Sequence, residues 1–147
     1  MFVSFMVSIS KVGVKGMGLD IDFCKVPKSA VNPKVVEVHE RFGALSEHGC
    51  RYMIDYPCLS DNPEKEEIQY YRKWYDVRNT MAGLFDATNQ CDYYLLTKED
   101  VNLLLENVEN SDGWLLESER VEFIAMIKSK LIDFPFDTHY LTYSWIS

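Results

Sequence analysis

Three stretches of the chain alternate between hydrophobic and polar residues, which is the two-residue period of a β-strand. They are residues 3–9, "MGLDIDFCKV" at 17–26 and "THYLTYSWI" at 138–146. Two shorter apolar stretches, "CRYMIDYP" at 50–57 and "CDYYLL" at 91–96, are also predicted to be strands. In the stretch 17–26, Asp20 and Asp22 lie on the same face. We interpret this face as solvated rather than as a site for a divalent cation.

Two segments each begin with an Asn-Pro pair, and this pair favours the start of a helix. Asn32 is expected to cap a helix that ends at Gly49. Its buried stripe is predicted to be Val35, Val38, Phe42 and Leu45. Asn62 is expected to cap a longer helix over about residues 63 to 86, with three glutamates in the first turn that suit the helix dipole.

Two more helices are predicted in the second half of the chain. Thr97 and Asp100 have the spacing of a capping box, and the helix that follows has an apolar stripe of Val101, Leu104, Leu105 and Val108. A fourth helix, about 117 to 132, is expected to bury Val121, Ile124, Ile127 and Leu131, with Phe123 beside them. Without a linker or repeat, this order predicts a single α+β domain over residues 1–147, with about four helices packed on a small, mainly antiparallel sheet.

The composition fits a globular domain, with 47% hydrophobic and 26% charged residues among 147. Its apolar runs are far shorter than the roughly 20 residues of a membrane-spanning helix, so no membrane partner is expected. The cysteines are scattered and form no C-x-x-C pair, which predicts reduced, mostly buried thiols rather than a metal or redox site. They are Cys24, Cys50, Cys58 and Cys91.

The net charge of −8 is unevenly distributed, with +3 over residues 1–34 and −6 over residues 86–112. Nucleic-acid binding relies on basic patches that neutralise phosphates, so direct nucleic-acid binding is not expected. The acidic segment either keeps the protein soluble or presents carboxylates to a basic partner.

One residue breaks the amphipathic pattern of the predicted helix over 63–86. Arg78 falls in the middle of the apolar arc, about one turn from Trp74 and two from Tyr71. A buried guanidinium needs a carboxylate, carbonyl groups, an aromatic face or a ligand. Either Arg78 stacks on Trp74 at the edge of the core, or it forms the floor of an aromatic pocket for an anion or a nucleobase.

The opposite arc of that helix carries Arg72, Lys73 and Asn79. Arg72 can pair with Asp76 four residues further on, which would make this arc an ordinary solvated face. The alternative is a basic seat for a phosphate or an acidic partner. No nucleophile, phosphate-loop or paired-histidine motif is present, so we expect a binding protein rather than an enzyme, with no cofactor and no metal.

Three segments together resemble a family of small uncharacterised bacteriophage and prophage proteins. They are "MGLDIDF" at 17–23, "YYRK" at 70–73 with Asn79 following, and "CDYYLLTKEDVNLLL" at 91–105. The resemblance places the family's Arg-Lys pair on Arg72 and Lys73 and its Asn on Asn79, whereas its Trp is Tyr71 here and its His is Arg78. Family members begin at Met-Gly-Leu-Asp, which favours Met17 as the native start, while the strand pattern of residues 3–9 favours Met1.

The resemblance implies a phage or prophage accessory protein in the cytoplasm of a bacterial host. We expect it to act by binding a host or defence protein with a basic surface, to which the segment 86–112 would be complementary. The alternative hypothesis is a small-molecule binding protein that holds a nucleotide-like anion. The residues predicted for that ligand site are Arg78, Arg72, Lys73, Asn79, Tyr71 and Trp74.

Overall fold

The computed structural model describes residues 18–38 and 52–147, which contain a six-stranded antiparallel sheet and four α-helices. The strands are β1 (Asp20–Pro27), β2 (Val36–Val38), β3 (Tyr52–Ile54), β4 (Glu66–Arg72), β5 (Tyr93–Leu96) and β6 (His139–Ile146). The helices are α1 (Tyr56–Leu59), α2 (Tyr75–Phe85), α3 (Lys98–Glu109) and α4 (Glu117–Met126), and a π-helical turn (Ile127–Leu131) extends α4. The predicted α+β class is confirmed.

The strand order across the sheet is β2-β3-β5-β6-β1-β4, with every neighbouring pair antiparallel. The two longest strands, β1 and β6, are neighbours inside the sheet and pair along their full length, with Phe23 opposite Tyr143. β4 forms one edge, and its pairing with β1 shifts register between Phe23 and Cys24. The sheet therefore joins strands from both ends of the described chain.

The main hydrophobic core lies between one face of the sheet and the helices α2, α3 and α4. Leu19, Ile21 and Phe23 point into it from β1 and the residue before it, as their alternation predicted. A smaller cluster covers part of the opposite face near β3 and β5, under α1 and the chain that follows β1. Its members are Val26, Val31, Ile54, Leu59, Tyr93 and Leu95.

The prediction of one helix over 63–86 is wrong. Residues 66–72 form the edge strand β4, and the helix occupies only Tyr75–Phe85. Lys73 separates the two with a φ of 64°, a left-handed conformation that interrupts both strand and helix. The run of Ile and Tyr in β4 suits a strand, and the hydrogen bonds to β1 override a weak helical preference.

The first Asn-Pro pair also does not start a long helix. The Asn32 side chain accepts a hydrogen bond from the Lys34 N–H at 3.0 Å, but only a 3₁₀ turn (Pro33–Val35) follows before β2. The remaining residues of that predicted helix up to Gly49, and the predicted strand over 3–9, lie outside the described residues. In the fourth helix, Val121 was predicted to be buried but is 54% exposed.

Candidate functional site

The six residues predicted as a ligand site occupy three different places. Tyr71 and Trp74 belong to the core: their rings stack with centroids 4.3 Å apart and an interplanar angle of 26°. Tyr71 is buried and also meets Phe23 and Phe123 edge-on, at 6.5 and 5.9 Å. This pair anchors the junction of β4 and α2 to the sheet and to α4.

Arg72 and Lys73 lie at the end of the edge strand. Arg72 is exposed and pairs in register with Asp20, on the sheet face that points away from α2, α3 and α4. The Lys73 N–H donates to the Leu19 carbonyl at 2.7 Å. Its side chain passes so close to Gly18 that a β-carbon there would lie 2.9 Å from Lys73 Cε. These two cations belong to the β1–β4 edge.

Arg78 lies elsewhere, where α2 meets β6. Its guanidinium carbon is 5.4 Å from the ring centroid of Tyr75 and 5.4 Å from that of Trp145. Its Nη2 donates weakly to Asn79 Oδ1 at 3.4 Å. Trp145 is held in place because its Nε1–H donates to the Ala87 carbonyl at 3.1 Å. Arg78 therefore lies against aromatic rings, as the stacking hypothesis expected. The rings are those of Tyr75 and Trp145, however, and not that of Trp74.

A buried hydroxyl lies close to this arginine. Tyr143 is fully buried, and among the described residues its hydroxyl has no hydrogen-bond partner. Burial raises the pKa of Tyr143, and the positive charge of Arg78 acts in the opposite direction, which shows that the guanidinium is near. The hydroxyl therefore stays protonated in the interior of the protein.

A second polar cluster lies on the outer face of β1 and β4, where the alternation in β1 had placed only Asp20 and Asp22 together. Burial raises the pKa of Asp22 to about 8, and a hydrogen bond with Glu67 and its charge act in the same direction, while Lys65 opposes them. Tyr70 donates its hydroxyl hydrogen to Asp20 Oδ1. Asp22 was interpreted as a solvated carboxylate, but the structure makes it a half-buried acid that is hydrogen-bonded to Glu67. Only the strand register brings these side chains together.

A groove of about 300 Å³ separates the edge strand from the π-helical turn. Lys25 and Glu66 form an ion pair of 3.7 Å along it. Lys130 Nζ donates to the Ile68 carbonyl at 3.2 Å and to Gln69 Oε1 at 2.9 Å, so it covers an outward-facing carbonyl of β4. The groove has lysines and acids on its walls, which gives it no preference for one sign of ligand charge.

The acids of residues 86–112 do not form one uniform surface. Asp100 completes the capping box with Thr97, and Glu109 pairs with Lys128 at 3.2 Å. Glu99, Glu106 and Asp112 are exposed. The acidic surface continues beyond the predicted segment onto the first turns of α4, with Glu117, Glu119 and Glu122.

The free thiols differ in exposure. Cys24 is buried, Cys91 is half-buried and Cys58 is exposed, so burial holds for fewer of them than predicted. Burial and the neighbouring Asp22 raise the pKa of Cys24, which keeps it a thiol. Cys50 lies outside the described residues. Within residues 18–38 and 52–147, no group of three His, Cys, Asp or Glu is arranged to hold a metal.

Comparison with protein-family models, with curated proteins and with solved structures finds no match to the chain. In the part of the chain that the structure describes, no helix has the length and apolar character needed to cross a membrane.

Proposed function

We propose that this chain is a phage or prophage accessory protein that binds a host or defence protein with a basic surface in the bacterial cytoplasm. The phage context rests on the resemblance carried by residues 17–23, 70–79 and 91–105. The binding function is supported by one observation: exposed carboxylates line α3 and the start of α4. They are Glu99 and Glu106 on α3, Asp112 in the loop between the helices, and Glu117 and Glu122 on α4, with the half-buried Glu119 beside them.

Two basic residues on this surface, Arg120 and Lys128, are engaged by neighbouring groups, and Lys98 at the start of α3 is exposed. Arg120 binds Glu117 through two hydrogen bonds of 2.8 and 2.7 Å, and Lys128 pairs with Glu109. The remaining carboxylates therefore produce a negative field that a basic partner can neutralise. Such complementarity speeds association and selects partners more than it adds affinity.

The proposal predicts capture of a basic protein from a bacterial lysate by the tagged full chain. A variant with Glu99→Gln, Glu106→Gln and Asp112→Asn should capture at least tenfold less of this basic protein. A matched control, Asp61→Asn with Glu64→Gln and Asp137→Asn, removes three exposed acids elsewhere and should bind like the wild type. Captured protein should also decrease as NaCl rises from about 50 to about 300 mM, because salt screens exposed charges. Equal capture by both variants would contradict the proposal.

A second candidate function is the binding of a nucleotide-like anion at Arg78. The observation in its favour is the arginine between two rings, with the protonated hydroxyl of Tyr143 nearby. ATP is a suitable probe, because its phosphates and its base can both meet such a cluster. Titration should change the fluorescence of Trp145, which lies against the arginine.

The variant Arg78→Lys keeps the positive charge but loses the planar group that stacks on the rings. We expect it to bind ATP at least tenfold more weakly than the wild type, whereas the control Arg72→Lys should bind equally well. A fluorescence titration of the three proteins is the measurement. The absence of any saturable change in the wild type would count against this candidate and leave the protein-binding proposal unaffected.

A further inference from the structure

The loop before α4 exposes large apolar side chains to solvent. Leu115 is 86% exposed and Leu116 is 53% exposed, and Val121 on the first turns of α4 is 54% exposed. Single apolar residues on a surface are ordinary, but several close in sequence on one loop and helix indicate a contact surface. None of these side chains belongs to either hydrophobic cluster described above.

The backbone that carries these leucines is held in place. Trp114, the residue before them, packs inward with its ring centroid 5.8 Å from that of Phe123. The Leu115 N–H donates to Asp76 Oδ2 at 2.9 Å, which ties the loop to the first turn of α2. The Leu116 carbonyl accepts hydrogen bonds from the first turns of α4. The two side chains are therefore presented in a fixed position, which reduces the ordering cost of binding.

Negative charge surrounds this apolar surface. Asp76 and Asp112 lie beside the loop, and Glu119 and Glu122 project from α4. Burial raises the pKa of Glu119, and the charges of Asp76 and Glu122 raise it further, which shows that these carboxylates lie close enough to repel one another. Arg120 offers little compensation, because it binds Glu117 and donates to the Val108 carbonyl at 2.8 Å.

The charge also decides which occupant fits. A second copy of the chain would bring the same carboxylates against this surface, and like charges facing each other disfavour association. A partner with an apolar pocket bordered by lysines and arginines satisfies both the leucines and the carboxylates around them. Apolar anchors at the centre and charged residues at the rim are the usual anatomy of a protein interface.

We infer that Leu115, Leu116 and Val121 form the centre of the surface on which this chain docks a basic protein. The inference rests on the proposed protein-binding function and specifies where that binding occurs. It goes beyond the acidic segment 86–112 by assigning specificity to apolar residues that follow it. In this arrangement the carboxylates attract the partner and the leucines hold it.

The test compares three tagged full-length proteins in capture from a bacterial lysate: the wild type, the double variant Leu115→Ser with Leu116→Ser, and the control Tyr52→Ser. Tyr52 is an exposed ring on β3, 40% exposed, and so matches the change in character at another place. The wild type and Tyr52→Ser should capture the same basic protein, and the double variant at least tenfold less. Circular dichroism should be the same for all three proteins.

A photo-crosslinking amino acid placed at position 115 gives a second measurement that does not depend on the serine variant. It should form a covalent link to the captured basic protein. Full capture by the double variant, or a link between two copies of this chain, would overturn the docking surface while the proposed function stands. If the wild type captures no basic protein, both the proposed function and this inference fail.

Discussion

Asp22 and Glu67 bring two carboxyl groups together on the outer face of β1 and β4. Burial raises the pKa of Asp22 to about 8, and the hydrogen bond with Glu67 and the negative charge of Glu67 act in the same direction, so Asp22 is mostly protonated at neutral pH. The neighbouring Lys65 lessens the effect, and Asp20 strengthens it. The stability of the pairing between β1 and β4 is therefore expected to depend on pH.

This coupling predicts a pH dependence of stability with a definite sign. The folded pKa of Asp22 is about 8 and its ordinary value is 3.8, so the folded state binds the proton more tightly. The resulting stabilisation is complete below about pH 4 and is lost as the pH rises through 8. Between pH 5 and pH 8 the free energy of unfolding of the wild type should fall relative to Asp22→Asn, by about 1 kcal/mol per pH unit.

Urea denaturation at several pH values would measure the difference. The control Asp61→Asn removes an exposed carboxylate and should follow the wild type at each pH. A constant difference between the wild type and Asp22→Asn over this range would show that Asp22 ionises normally.

The predicted and observed contacts of Arg78 differ, and the difference shows what the sequence can establish about a single residue. Its position on the apolar face of α2 was readable from the helical period, and so was its need for a partner. That Trp145 supplies one of the rings could not be predicted, because Trp145 lies 67 residues further along the chain and comes close to α2 through the folding of the sheet. Closeness in sequence suggested that Arg78 stacks on Trp74, but the ring of Trp74 stacks on Tyr71 instead.

At the scale of elements, the sequence predicted a helix start correctly where the capping side chain forms its hydrogen bonds within the same helix. Thr97 Oγ1 accepts from the Asp100 N–H at 3.1 Å and Asp100 Oδ2 accepts from the Thr97 N–H at 2.9 Å, which gives the predicted start of α3. Asn62 accepts from the Glu64 N–H at 2.9 Å, but it also donates to the Ala30 carbonyl, 32 residues away. That distant contact makes the segment a turn leading into β4, and no local pattern predicts it.

The junction between β4 and α2 yields a prediction about backbone strain. Lys73 has a φ of 64°, a conformation that costs a residue with a β-carbon about 1–2 kcal/mol and glycine almost nothing. We expect Lys73→Gly to raise the free energy of unfolding by about 1 kcal/mol, after allowance for the greater freedom of glycine in the unfolded chain.

The neighbouring substitution Arg72→Gly provides the contrast. Residue 72 is in the strand, where glycine lowers stability by roughly 0.5–1 kcal/mol. Chemical denaturation of both variants beside the wild type would decide the matter. A loss of stability in Lys73→Gly would mean that the contact of its side chain with Gly18 outweighs the strain.

At the scale of the whole molecule, one ring connects the layers. Phe123 on α4 is fully buried and lies 6.1 Å from Phe23 of β1, 5.9 Å from Tyr71 of β4 and 5.8 Å from Trp114 of the loop, measured between ring centroids. It therefore connects the sheet, its edge strand and the loop that carries the exposed leucines.

Substitutions at Phe123 and Val121, two residues apart on α4, should have very different effects on the free energy of unfolding. Phe123→Ala leaves a cavity and should lower the free energy of unfolding by about 3–5 kcal/mol. Val121→Ala removes an exposed side chain and should change it by less than about 0.5 kcal/mol. Thermal or urea unfolding measures both, and similar losses in the two variants would contradict the assignment of Phe123 as the connecting residue.

The outward leucines have a consequence for how such a protein can change over generations. Its fold depends on Trp114 turning inward and on Asp76 accepting from the Leu115 N–H, whereas the side chains at 115 and 116 belong to neither hydrophobic cluster of residues 18–38 and 52–147. Mutation can therefore exchange these two side chains with little loss of stability, since the loop keeps its shape. Under the proposed binding function, exchange of these two side chains would alter the target while the rest of the chain stayed the same.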